Sequence, residues 1–234
     1  MREQTPSRPL RLHLATTPAE MEWAQMQVEK YHYLRQRVHP RARPITYLVM
    51  IMDEKGVEQR VGCLIFGRMQ SSRCRGWYGN MADVQSGWAR LTQWELLCLQ
   101  RVYLDPRLQR GGQWYVPNAA TQMVGQALRR VGYEYLLIHP PAFLDQPWQL
   151  KEILSYCHAD RFLCTLYLAA NFKLFRENSE GLRTYVRPLP QLQPHQLRHI
   201  EEASRFNAQA RKRRSATPSA YIQETLLRQR RVGA

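Results

Sequence analysis

From Cys164 to Phe175 the chain reads C-T-L-Y-L-A-A-N-F-K-L-F, a tyrosine inside an apolar run followed by small residues, an asparagine and an aromatic. An unperturbed phenol has a pKa of about 10, so Tyr167 keeps its proton at neutral pH and can give it to a leaving group. The same position suits a core tyrosine whose hydroxyl meets one buried partner. Upstream, S-Y-C-H-A-D places Ser155, Tyr156 and Asp160 at or just past the end of an expected strand, where sites gather in open α/β sheets. Asp160 can orient a base or accept from an amino group; it equally suits the cap of the next helix. His32, next to Tyr33 at the end of an expected helix, can act as a base or a metal ligand, or compensate the helix dipole. Arg101 shares period-2 parity with Glu95 on an expected central strand, which places the two on one side. Asn171 can bond a substrate edge or end the helix.

A second group suits anions. R-L-Q-R-G-G-Q-W-Y-V-P-N joins Arg107, Arg110, Gly111 and Gly112 to Asn118, which stands where a helix cap belongs. A helix N-terminus offers unpaired amides and a partial positive charge, arginines add full charges, and glycine lets backbone approach a phosphate closely. A capped surface loop is the plainer alternative. A third group is the C-terminal run of Arg211, Lys212, Arg213 and Arg214, echoed by Arg228, Arg230 and Arg231. Such runs contact phosphate backbone without reading sequence, or serve as targeting signals. Loop tryptophans at 77, 88 and 114 can stack on bases or pack back onto the domain.

Composition agrees with a basic globular protein. In 234 residues, 44% are hydrophobic, enough for a real core, and a formal net charge of +15 with clustered basic residues points to nucleic acid as partner. No apolar run reaches the roughly 20 residues of a membrane helix, so no membrane partner is expected. The charged N-terminus is not followed by a long apolar region, which argues against a secretory signal. Five scattered cysteines without C-x-x-C or Cys/His spacing argue against a disulfide framework or structural zinc site. Cys63, Cys98 and Cys157 read as small hydrophobes, and a reducing, cytoplasmic setting is expected; no metal is assigned.

These residues need elements to hold them. The order read from the chain begins with a strand at 11–15, then a helix from Thr16–Thr17 to about Tyr33, with a hydroxyl cap, Pro18 in the first turn and Glu20 near the positive end of the dipole. Prolines break the chain at 39–44; strands at 45–52 and 60–68 form a hairpin, a loop spans 71–89, and the strongest strand is 94–104. A helix follows Asn118 with Ala120, Met123, Val124, Ala127, Leu128 and Val131 at helical spacing, running towards Pro140. Then come a strand at 151–157, a helix over 161–172 and a hairpin over 173–187 that turns near Ser179–Gly181. This is an α/β order around a mixed sheet, one domain over 1–190, with 191–234 as a basic, partly helical C-terminal extension outside the core.

On V-Y-L-D-P, the glycine-bearing loop, the helix at Asn118 and L-Y-L-A-A-N-F-K-L, the chain resembles the GNAT acyltransferase superfamily. More narrowly, H-Y-L, G-C-L-I-F-G-R, R-V-Y-L, P-N-A-A, S-Y-C-H-A-D and T-L-Y-L-A-A-N-F, in that order over about residues 30–187, are similar to the phage Mom DNA-modification family and its anti-phage and mobile-element relatives. The adjacent glycines depart from the superfamily's Q/R-x-x-G-x-G/A loop, and Cys164 stands where Mom-like proteins tend to have glycine. The resemblance implies a GNAT-like mixed sheet flanked by helices and acyl transfer from acetyl-CoA or a related acyl-CoA to an amine, such as an exocyclic base nitrogen in DNA. It implies Tyr167 as acid, His32 or Asp160 assisting the nucleophile, and Arg107, Arg110, Gly111, Gly112 and Asn118 holding the cofactor. Tyr33, Arg101, Ser155, Tyr156 and Asn171 would face the substrate. The competing class is a non-catalytic nucleic-acid-binding subunit of a phage, defence or mobile-element complex, its tail also offering a surface to protein partners. A third is an ordinary small-molecule or protein acetyltransferase.

Overall fold

The computed structural model describes residues 9–68, 95–141, 150–159 and 164–213. Its strands are β1 (Arg11–Leu14), β2 (Ile45–Met52), β3 (Glu58–Gly67), β4 (Leu96–Leu104), β5 (Glu152–His158), β6 (Lys173–Glu177) and β7 (Leu182–Pro188). They form one mixed sheet in the order β1-β2-β3-β4-β5-β7-β6, in which only the β4–β5 pair is parallel. The helices are α1 (Pro18–Tyr31), α2 (Ala119–Ile138), α3 (Thr165–Ala169) and α4 (Pro194–Arg213). The mixed α/β sheet flanked by helices expected from the sequence is therefore present.

Period-2 alternation explains why both faces are covered. In β2, Ile45, Tyr47, Val49 and Ile51 join the core shared with α2, while Leu48 and Met50 join the core under α1 with Ala24 and Val28. On α2, Met123, Val124, Ala127, Leu128 and Val131 are buried as their spacing predicts. Tyr47 donates to Glu134 at 2.6 Å, and Arg130 grips the same carboxylate, pinning α2 to the sheet. α1 begins as expected. Thr17 accepts from the Glu20 amide, and Glu20 accepts from the Thr16 and Thr17 amides and contacts His13 at 2.7 Å. Burial raises the Glu20 pKa, but those amides and His13 outweigh it and hold it at about 2.

Four expectations need correction. First, β3 and β4 shift register between Ile65 and Phe66, because Ile65 faces Arg101 and Phe66 faces Leu99, leaving Gln100 as an extra residue. Leu97 and Leu99 point into the α2 core, but beyond the bulge Val102 and Leu104 do so, and Arg101 and Tyr103 turn towards α1. The period-2 link between Glu95 and Arg101 is broken by that one residue. Second, the helix expected over 161–172 covers only Thr165–Ala169 among the described residues. Third, Cys157 and Cys164 form a disulfide, with Cα atoms 6.1 Å apart; sequence spacing carried no sign of it, since a bridge depends on where two elements end in space. Fourth, part of the expected extension joins the core: α4 buries Ile200 and Ala203, and Tyr133 on α2 meets His199 at 2.8 Å. Among the described residues no helix is long and apolar enough to cross a membrane.

Candidate active site

β4 and β5 pair only from Leu96–Leu99 to Glu152–Ser155, although both continue towards their carboxyl ends. Past Leu99, β4 stays with β3 and β5 stays with β7, so the two part and a cleft opens between them. Two cavities occupy the cleft, of about 600 Å³ and 460 Å³, and they share Val102, Thr165 and Leu166 as common wall.

The larger cavity is built mostly from backbone turns. The chain leaves β4 through Asp105, makes a short 3-10 helix at Pro106–Leu108 and enters α2 at Asn118. Asn118 has φ +54°, makes no side-chain cap bond, and no acid stands in the first turn of α2, so the positive end of the dipole is uncompensated there and faces the cavity that Asn118, Ala120 and Thr121 line. Arg110 lines it too. Gly112 is demanded by the turn itself, since a Cβ there would sit 2.3 Å from the Arg107 carbonyl oxygen.

The smaller cavity is built from side chains. Tyr31, His32 and Tyr33 face Tyr156 and Tyr167 across it, with Gln100 at the bulge and the Cys157–Cys164 bridge in its wall. The Tyr167 hydroxyl donates to the Tyr156 carbonyl at 3.4 Å, and its ring stacks on Tyr185 at 5.2 Å. Burial pushes the Tyr167 phenol up to about 12, against a smaller lowering by Ser155. The phenol is therefore a standing proton donor at any ordinary pH. At His32, burial first and the Arg101 charge second lower the pKa to about 4, and Nδ1 accepts the Leu34 amide at 3.2 Å. The ring is thus neutral with its proton on Nε2, a hydrogen-bond donor and a weak base.

No family model matches the chain, and no curated protein matches it. Solved structures do resemble it. One is a domain from Methanocaldococcus jannaschii, 9% identical, covering 78% of this chain and 99% of that one with a TM-score of 0.43. Another is a GNAT-family acetyltransferase from Listeria monocytogenes, 15% identical, covering 77% and 95% at 0.40. A third is AtaTR bound with AcCoA, 15% identical, covering 82% and 96% at 0.40. At such identities no residue role is carried across.

The structure brings together Tyr167, His32, Tyr33 and Tyr156 around one cavity and Arg110 and Asn118 around the other. It places the remaining candidates elsewhere. Arg107 does not face the cavity: it grips Asp105 through Nε and Nη2 at 3.0 and 2.6 Å and lies 4.0 Å over the Trp114 ring, bracing the loop. Trp114 is accordingly buried. Gly111 (φ +87°) and Gly112 shape the loop without lining the cavity. Arg101 braces the turn after α1, donating to the Gln36 carbonyl at 3.3 Å and to the Gln100 carbonyl at 2.7 Å. Ser155 is fully buried and donates to the Leu99 carbonyl at 3.0 Å, closing the paired end of the cleft. Asn171, at φ +60°, turns the chain from α3 into β6. Asp160, Arg214, Arg228, Arg230, Arg231, Trp77 and Trp88 lie outside the described residues. Arg211, Lys212 and Arg213 belong to the last turn of α4.

Sequence reasoning missed Tyr31, Gln100, Thr165 and Leu166. The Y-H-Y triplet at the end of α1 was a readable sign of Tyr31. The bulge at Gln100 has no signature of its own, because it exists only relative to β3.

Proposed function

We propose that this protein transfers an acyl group from a CoA-type thioester to an amine, and that the amine is an exocyclic nitrogen of a DNA base. The observation that carries the reading is the meeting of the two cavities beside Tyr167 where β4 and β5 part. The residues present fit such a donor. The α2 N-terminus and Arg110 supply a cationic end for phosphates, and the parting of β4 from β5 leaves a cleft for an extended arm. The bound thioester would supply the activated acyl carbon. As the amine nitrogen bonds to that carbon and the carbon–sulfur bond breaks, Tyr167 gives its proton to the departing sulfur; the proton the amine loses passes to water, from which the phenolate is reprotonated. His32 orients the acceptor through Nε2–H, since its proton affinity is too low for a base.

The acceptor follows from the smaller cavity and the charge. Tyr31 and Tyr33, 52% and 37% exposed, give the mouth flat aromatic faces that suit a planar ring, and a net charge of +15 favours a polyanion. A base in duplex DNA must leave its stack to enter.

Calorimetric titration with acetyl-CoA, followed by labelled acetyl transfer to DNA, tests this. Tyr167→Phe should bind the donor as the natural chain does and turn over about a hundredfold more slowly. A folded chain that binds no acetyl-CoA sinks the enzyme reading. The second reading, a nucleic-acid-binding subunit without transfer chemistry, is favoured by two observations: Arg107 is engaged by Asp105, and no glycine among the described residues lines the larger cavity. Under either reading, replacing residues 211–214 by alanine should weaken DNA binding and flatten its salt dependence.

A further inference from the structure

We propose that the Cys157–Cys164 disulfide is a thiol-sensitive clamp on Tyr167: reducing it frees α3 from β5 and slows the transfer. Its effect on turnover rests on the function proposed above, whereas its effect on α3 does not.

The bond joins the two elements that set the phenol. Cys157 follows Tyr156, whose carbonyl accepts from the Tyr167 hydroxyl, and Cys164 immediately precedes α3. The Tyr167 amide in turn donates to the Cys164 carbonyl at 3.1 Å. One covalent link therefore fixes donor and acceptor of the same hydrogen bond relative to each other.

Little else holds α3 in place. It has five residues, far below the length at which a helix stands alone, and none of the five is fully buried; only Leu166 and Tyr167, half-buried, pack against the main core. Cys164 opens it at φ +54° with no side-chain cap bond, a left-handed conformation unfavourable for a residue other than glycine. The other ties are Ala170 and Phe172 buried just beyond the helix, the Arg187 guanidinium on the Ala170 carbonyl, and the Tyr167 ring against Tyr185 and Phe172. Segments with so few buried contacts open locally at low free energy, and a crosslink that is removed lowers it further.

The bond is placed to be read by small thiols. Both cysteines are 5% exposed and both line the smaller cavity, so a reductant small enough to enter meets the sulfurs from inside the site. The exchange balances with a dithiol. One of its thiolates attacks a cysteine sulfur, the other closes on the mixed disulfide, and the products are two cysteine thiols and the oxidised dithiol. Cys63 and Cys98, both buried, have no part in it.

The test compares the full chain, oxidised and after dithiothreitol, by hydrogen exchange, with alkylation and mass spectrometry confirming the state of Cys157 and Cys164. Reduction should speed exchange at the Tyr167, Ala170 and Asn171 amides by about tenfold or more, and reoxidation should restore protection. The double variant Cys157→Ser/Cys164→Ser should match the reduced chain and ignore dithiothreitol; should it fail to fold, reduction of the natural chain decides alone. Unchanged exchange on reduction overturns the clamp, as does a purified chain in which the two thiols never pair in air. Acetyl transfer is measured on the same samples: a fall on reduction supports the coupling, and unaltered turnover beside faster exchange overturns it. If no acetyl-CoA binds in either state, the proposed function fails while the exchange data still judge the clamp.

Discussion

The two cavities share a wall but are made of different material. The larger one takes its form from backbone: a left-handed Asn118, a glycine pressed against Arg107 and the N-terminal turn of α2. The smaller one is lined by the rings of Tyr31, His32, Tyr33, Tyr156 and Tyr167, beside Gln100 and the disulfide. A backbone-built site presents groups common to every residue and suits a constant ligand such as a phosphate-bearing cofactor. A ring-built site can be retuned by single substitutions and suits the partner that sets specificity. The difference predicts that damage to the first comes through conformation and damage to the second through chemistry.

Gly112→Ala should have the largest effect. Its Cβ would lie 2.3 and 2.6 Å from the Arg107 carbonyl oxygen and carbon, which are backbone and cannot swing aside. A loss of about 3 kcal/mol in denaturant unfolding, together with lost acetyl-CoA binding, is expected. Tyr33→Ala should act on the other side alone, raising the KM for a nucleic-acid acceptor about tenfold through one lost stacking face while donor affinity stays put. Donor affinity falling equally would break the division between the cavities. Gly111→Ala sharpens the backbone half: the position has φ +87° but open space around a Cβ, so a cost of only about 1 kcal/mol should appear.

The smallest effect lies at the closed end of the cleft, away from both cavities. Burial first and Glu95 second raise the Glu152 carboxyl to about 7, with Lys151 opposing them. The folded chain therefore holds that proton more tightly than the unfolded one does. Its contribution to stability is full below the ordinary value of about 4.5 and is lost as pH rises through about 7. Melting temperature followed from pH 5 to pH 8 should show this decline in the natural chain and lose part of it in Glu152→Gln. Acetyl-CoA affinity should be the same in both. Equal pH slopes would remove Glu152 from the explanation.

Much of the architecture could be read before any coordinates because its causes are local. The Thr17–Glu20 cap, the Pro18 start, the β2–β3 hairpin with Asp53 accepting the Lys55 and Val57 amides, and the apolar stripe of α2 each arise among residues a few positions apart. The positions of His32 and Tyr33 just past α1 and of Asn118 at the start of α2 were legible for the same reason, since each depends on where one element ends.

What the sequence by itself determined is thus the order of elements and the identity of the residues at their ends. Tertiary structure alone decided which of those ends meet. Gln100 is a bulge only because β3 runs beside it, and Arg101 changes face in consequence. Arg107 is withdrawn from the cavity because Asp105 and Trp114 lie within reach. Cys157 and Cys164 pair because β5 ends where α3 begins. Caps, turns and periodicity act over one or two turns of chain, and composition records them. Register, charge pairing and crosslinks act between segments that meet only when the sheet has formed.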